Sequence, residues 1–177
     1  MKTPRKNSKQ VNHPPKVAVV MGSDSDLKIM QATATVLEQF QIPFEMTVAS
    51  AHRSPQRAAE FASSARARGI KVIVAGAGHA AHLAGTMAAY TSLPVIGVPI
   101  DSSCLQGLDA LLSTVQMPPG VPVATVSIGK PGAHNAGILA AQILALSDPK
   151  LANRLEVFKK EIAEDVAQKA QQLTINQ

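Results

Sequence analysis

The chain has 177 residues, nearly half of them apolar, and a formal net charge of +5. That length supports one full core and is short for two domains, and the composition is that of a soluble globular protein. No apolar run approaches the roughly 20 residues that span a bilayer, no signal-peptide pattern opens the chain, and the lone Cys104 has no partner for a disulfide, so a cytoplasmic protein is expected.

The charge is unevenly placed. Lys2, Arg5, Lys6, Lys9 and Lys16 fall within the first sixteen residues, where no acid stands, and the other basic residues are balanced by the 12 acidic ones. Residues 1–15 therefore read as a disordered basic arm on a neutral body. A solubilising tail is favoured over a nucleic-acid-binding arm, because the body offers neither a basic stripe nor stacking aromatics.

After the arm, apolar strand-like runs alternate with helical patterns. KVAVVMG (16–22) reads as a buried strand. SDLKIMQATATVLEQF (25–40) follows, with Leu27, Met30, Ala34, Leu37 and Phe40 on one helical face. FEMTVA (44–49) is a second strand, and Pro55 opens a second helix that runs to Arg68 and ends at Gly69. KVIVAG (71–76) is a third strand and HAAHLAGTMAAYT (79–91) a third helix. LPVIGVPI (93–100) and VPVATVSI (121–128) read as further strands, with a helix over 104–115 between them.

Apolar strands separated by helices predict a parallel sheet covered on both faces. The expected fold is α/β, a three-layer αβα sandwich with a central parallel sheet, its strand order flavodoxin-like. Two C-terminal segments differ from the rest. NAGILAAQILAL (135–146) is apolar almost all round, as a helix can be when buried on every side. Leu151, Leu155, Phe158, Ile162, Val166 and Leu173 then mark one stripe of a long C-terminal helix. The division expected is a body over 16–147 and a helical extension over 148–177 that packs on a neighbouring subunit of a homo-oligomer.

In an open parallel sheet, ligands bind outside the carboxyl ends of the strands. The loops there are Gly22-Ser23-Asp24-Ser25-Asp26, Ser50-Ala51-His52-Arg53, Gly76-Ala77-Gly78-His79, Asp101-Ser102-Ser103 and Gly129-Lys130-Pro131-Gly132. Small hydroxyls and helix N-termini suit an anion, phosphate above all, and Arg53 adds a bidentate partner. Ser25 or Asp26 also suits a helix N-cap. His52 is the candidate proton carrier, since imidazole changes charge near neutral pH. His82, one turn into the third helix, reads equally as a buried structural histidine. His79 and His82 lack a third ligand at useful spacing, so no metal is expected. His13 and His134 are assigned no role. Gly76-x-Gly78-x-x-Ala81 fits a relaxed dinucleotide fingerprint, with Asp101 about 20 residues on, but it sits in the third βα unit and not the first. Cys104, without an assignable base, reads as a small packed residue.

Taken together, VMGSDSD (20–26), SAHRSP (50–55), AGAGHAAHLAG (75–85), LPVIGVP (93–99), GLDALLSTVQMPPGVPVATV (107–126) and NAGILAAQIL (135–144) resemble the N5-carboxyaminoimidazole ribonucleotide mutases, the class I PurE enzymes of purine biosynthesis. The likeness is collinear from about residue 16 to 147. It implies an isomerase that turns N5-carboxyaminoimidazole ribonucleotide (N5-CAIR) into 4-carboxy-5-aminoimidazole ribonucleotide (CAIR), by decarboxylation and recarboxylation, without metal or organic cofactor. It implies a homo-octamer with no nucleic-acid or membrane partner. It further implies His52 as general acid/base and His82 as its catalytic neighbour. Ser23, Ser25, Asp26, Ser50 and Arg53 would surround the ribose phosphate, the Gly-rich loop and His82 would wall a CO2 pocket, and Gly78 and Leu83 would also bind the substrate. The alternatives are a carboxylase that uses CO2 directly and a non-catalytic nucleotide-binding paralogue. This chain departs from the family's usual GAGGAAHLPG in two places, where His79 replaces a glycine and Ala84 a proline, and GSDSDL replaces a tryptophan-bearing GSxSDW. The class II carboxylases carry AGRSN where this chain has AGAG.

Overall fold

The computed structural model describes residues 14–175. Nearly all of the basic arm, His13 included, lies outside the described residues. The element order is β1 (Val17–Met21), a 3-10 turn (Asp24–Asp26), α1 (Leu27–Gln39), β2 (Phe44–Val48), α2 (Pro55–Ala65) and β3 (Val72–Gly78). There follow α3 (Leu83–Ala89), β4 (Val95–Ile100), α4 (Leu108–Val115), β5 (Ala124–Thr125), α5 (Gly129–Ala145) and α6 (Pro149–Ile175).

All five strands are parallel, in the order β2-β1-β3-β4-β5. This is the flavodoxin-like order. Strand periodicity sorts the core into two slabs. Val17, Val19 and Met21 of β1, with Val72 and Val74 of β3, face α1 and α5. Ala18, Val20, Ile73 and Ala75 face α2 and α3. The sandwich thus has three layers, as the alternation of apolar runs and helices predicts.

α1 and α5 approach very closely, because α5 turns a strip of small residues toward α1: Gly132, Ala133, Ala136, Gly137, Ala140 and Ala141 are buried. A Cβ on Gly137 would lie 2.8 Å from Val36 Cβ. Thr33 Oγ1 donates a hydrogen bond to the Ala133 carbonyl at 2.6 Å and pins the two helices together. The larger residues of α5, Ile138, Leu139, Ile143 and Leu144, are only partly buried. Expected burial on every side is therefore half realised within one chain.

Leu151 and Leu155 of α6 are buried in the first slab, and Phe158 meets Phe40 edge to face at 5.3 Å. Beyond them the same stripe leaves the body: Ile162, Val166 and Leu173 are exposed.

Several boundaries differ from expectation. α3 begins at Leu83, not at residue 79, because His79 adopts a left-handed backbone (φ 54) that no α-helix contains. α4 begins at Leu108, after Gly107 at φ 86, so residues 104–107 form a turn. The expected strand 121–128 pairs only at Ala124 and Thr125. α5 opens six residues early, at Gly129, and Pro131 is accommodated in its first turn, where its missing N–H costs nothing.

Candidate active site

With β1 flanked by β2 and β3, the chain leaves β1 toward one face of the sheet and β3 toward the other. The loops after these strands diverge, and a crevice opens between them at the carboxyl edge. A cavity of about 510 Å³ occupies this place. All nine residues singled out in the sequence line it: Ser23, Ser25, Asp26, Ser50, His52, Arg53, Gly78, His82 and Leu83.

One end of the cavity is built by the loops after β1 and β2. Ser23 caps the 3-10 turn: its Oγ accepts from the Ser25 N–H at 3.4 Å, and the Asp26 carboxylate accepts from the Ser23 N–H at 3.1 Å. The reciprocal pair is a capping box. The capping serine is thus Ser23, where Ser25 or Asp26 is expected from the sequence. Asp26 is 5% exposed, and burial pushes its carboxyl above the ordinary range; the Ser23 N–H, the Ser25 hydroxyl and the charges of Arg53 and His79 oppose that shift. The loop after β2 is braced from within. Ser50 Oγ accepts from the Arg53 N–H at 3.1 Å, Ser54 Oγ accepts from the Ser50 N–H at 3.0 Å, and Arg53 Nη2 donates to the Gly22 carbonyl at 2.9 Å. The last bond ties the two loops together and fixes the guanidinium at the cavity wall. This end therefore presents hydroxyls and a fixed cation, the donors that suit a phosphate.

The middle holds two histidines from different loops. His52 Nε2 and His82 Nδ1 are 2.8 Å apart, with ring centroids at 4.9 Å and planes inclined at 82°. One facing nitrogen must carry a proton and the other a lone pair, so the two rings share a single proton along this line. Thirty residues separate them in sequence, and no spacing rule announces the pair. His82 is exposed to the cavity, which sets aside the buried-structural reading.

The far end rests on the loops after β3 and β4. Here His79 Nδ1 lies 3.2 Å from Ser102 Oγ, and both residues line the cavity. Neither was assigned a role at this site from the sequence, although both stand in the strand-end loops. The dinucleotide fingerprint is also explained. A Cβ on Gly76 would collide with Met30 Sδ, so Gly76 serves the packing of β3 on α1. The helix that should start in the loop and face a pyrophosphate begins only at Leu83. Among the described residues, no group of three or more His, Cys, Asp or Glu side chains could hold a metal ion. Cys104 is exposed, not packed. No described helix is long and apolar enough to cross a membrane.

The family model described as AIR carboxylase matches residues 16–165. An N5-carboxyaminoimidazole ribonucleotide mutase of Thermotoga maritima is 54% identical over 159 residues, which cover 90% of this chain and 92% of that protein. A phosphoribosylaminoimidazole carboxylase of Candida glabrata is 53% identical over 167 residues, covering 94% of this chain but 29% of that protein. A solved PurE structure from Treponema denticola superposes with a TM-score of 0.81 at 26% identity, covering 90% of this chain and 98% of that one. The matched span runs from the residue before β1 well into α6 and includes every loop of the cavity. The chain belongs to the AIR carboxylase family, in the company of the N5-carboxyaminoimidazole ribonucleotide mutases.

Proposed function

We infer that the chain is an N5-CAIR mutase acting in purine biosynthesis, with the cavity at the β1/β3 crevice as its active site. The observation that carries the reading is the His52–His82 contact of 2.8 Å inside a cavity whose neighbouring wall bears Ser23, Ser25, Ser50 and Arg53. The phosphate of the ribonucleotide is held by those hydroxyls and the guanidinium. The aminoimidazole ring then lies against the histidine pair.

The reaction needs one proton in and one proton out. Cleavage of the carbamate N–C bond leaves the electron pair on the exocyclic nitrogen, and His52 protonates that nitrogen as CO2 departs. The ring C4, electron-rich through conjugation with the amine, attacks the CO2 and forms the new C–C bond. His52, now neutral, removes the C4 proton and is restored. His82, hydrogen-bonded to the same ring, holds it in place and stabilises whichever protonation state the step leaves. Because proton and CO2 are both returned, the residues present suffice and no ATP is consumed. The wall of Gly78, Ala80 and Leu83 keeps CO2 beside the ring, where escape would waste the cycle.

The test is conversion of N5-CAIR to CAIR by purified protein in the absence of ATP, followed by the absorbance of the product. The reading fails if the wild type does not convert N5-CAIR. Identity to the Candida glabrata carboxylase supports a second reading, direct carboxylation of aminoimidazole ribonucleotide (AIR). A rate that rises in proportion to added bicarbonate favours it over the mutase.

The exposed run of Ile162, Val166 and Leu173 on α6, with the only partly buried Ile138, Leu139, Ile143 and Leu144 of α5, supports assembly into a homo-octamer. Light scattering on the purified protein tests this, and a monomeric mass would overturn it.

A further inference from the structure

Resting on the mutase reading, we propose that His79 is a specificity-determining residue whose ring Nε2–H donates a hydrogen bond to the carboxylate of the bound ribonucleotide. Three observations carry this. First, His79 sits at φ 54, a left-handed backbone that residues with a side chain adopt at a cost. A side chain kept at such a place, on a cavity wall, calls for a use. Second, the ring is aimed and not loose: Nδ1 pairs with Ser102 Oγ at 3.2 Å, and the Ser102 side chain occupies the space a Cβ on Gly78 would fill. With Nδ1 engaged, Nε2 is left for a ligand. Third, the strand order separates the Arg53 loop from the Ser102 loop. Arg53 follows the edge strand β2, and Ser102 follows β4, two strands beyond β1, with the His52–His82 pair between them. A ribonucleotide anchored by its phosphate at the Arg53 end extends its carboxylated ring past the histidine pair toward His79.

Charge complementarity supports the same assignment. Among the described residues, Asp26 supplies the only carboxylate lining this cavity, while the ligand carries a phosphate and a carboxylate. Arg53, His52 and His82 line the same cavity as His79, and Asp26 and Asp109 lie within electrostatic reach of it. One hydrogen bond from Nε2–H to the carboxylate should favour the carboxylated ligand by about tenfold.

The experiment is calorimetric titration of the full-length protein with CAIR, and with AIR, which lacks the carboxylate, at one fixed pH. Wild type is compared with His79→Gly, which suits the left-handed backbone, and with His79→Ala, which keeps a side chain there but no donor. AIR reports any effect on the phosphate, the His52–His82 pair or Asp26. The expected result is that both variants weaken CAIR by about tenfold and leave AIR binding unchanged. The inference is overturned if either variant binds CAIR as tightly as wild type, or if they weaken AIR as much as CAIR, which would make His79 structural or a phosphate ligand. Wild type that turns over N5-CAIR while failing this comparison sinks the His79 assignment alone. Wild type that binds neither ribonucleotide sinks the mutase reading and this inference with it.

Discussion

Replacing Gly137 by alanine sets two known effects against each other. In an exposed helix the change would be favourable, because glycine costs about 1 kcal/mol relative to alanine in a helix interior. Gly137 is instead buried where α5 meets α1, and the added Cβ would lie 2.8 Å from Val36 Cβ, 2.9 Å from Val36 Cγ1 and 3.1 Å from the Thr33 carbonyl. None of these can give way cheaply. Val36 is fully packed and, being β-branched, is confined to one rotamer in a helix, and the Thr33 oxygen belongs to the backbone. Comfortable carbon–carbon contact is about 3.5–4.0 Å, so α1 and α5 must part by roughly 1 Å. Overpacking of this kind costs about 1–3 kcal/mol. The separation also stretches the 2.6 Å bond from Thr33 Oγ1 to the Ala133 carbonyl, with a further loss of about 1 kcal/mol. The net expectation is destabilisation by about 1–3 kcal/mol, a fall in Tm of roughly 2–10 °C for a chain of this size. Differential scanning calorimetry at one fixed protein concentration measures it, since subunit association would otherwise shift the midpoint. A variant that melts at or above wild type would show that helix propensity outweighs the contact and that α1 slides freely over α5.

Three further outcomes follow from the site. His52→Asn should lower kcat by about a hundredfold or more, the weight of one general acid/base, while the melting temperature stays within a degree or two because the ring is exposed. Retained turnover would remove His52 from the mechanism. Asp26→Asn should raise the melting temperature at pH 7.5. Burial lifts the folded-state pKa of Asp26, so its stabilising contribution is complete only below the unfolded carboxylate range near 4 and is lost as pH rises through the folded value. The gap should close toward pH 4, and a wild type more stable than Asn at pH 7.5 would mean that Ser23 and Arg53 outweigh desolvation. His79→Gly should stabilise the fold by about 1 kcal/mol in urea denaturation, because glycine relieves the left-handed backbone at φ 54. A loss of stability would indicate that the bond to Ser102 matters more than the backbone.

The central strands were legible because each is dominated by Val, Ile and Ala with no charged residue, as a strand buried on both faces requires. β5 was not. Residues 121–128 are likewise rich in Val, yet the strand lies at the sheet edge, follows Pro118, Pro119 and Pro122, and pairs at two positions only. The start of α3 was misplaced for a different reason. The sequence HAAHLAG reads as continuous helix, and nothing local reveals that His79 turns back to meet Ser102, 23 residues away. The contents of the cavity were legible without strand order, since every βα loop of a parallel sheet leaves from the same edge. Their mutual contacts were not. The His52–His82 bond joins residues 30 apart in different loops, and only the placement of β2 and β3 on either side of β1 brings them together.

That placement also accounts for the division of labour along the cavity. The two loops leaving β1 and β2 are stiffened by bonds among themselves, with the Arg53 guanidinium on the Gly22 carbonyl as the link, so an anion bound there meets donors already in position. The proton, by contrast, sits at a joint between loops, on rings that come from β2 and β3 and touch at a single pair of nitrogens. A small change in the separation of those loops alters the His52–His82 distance while leaving the Arg53 end intact. Under the proposed mechanism, substrate capture and proton transfer should therefore be separable by mutation. Variants at Arg53 should show chiefly in KM, and those at His82 chiefly in kcat.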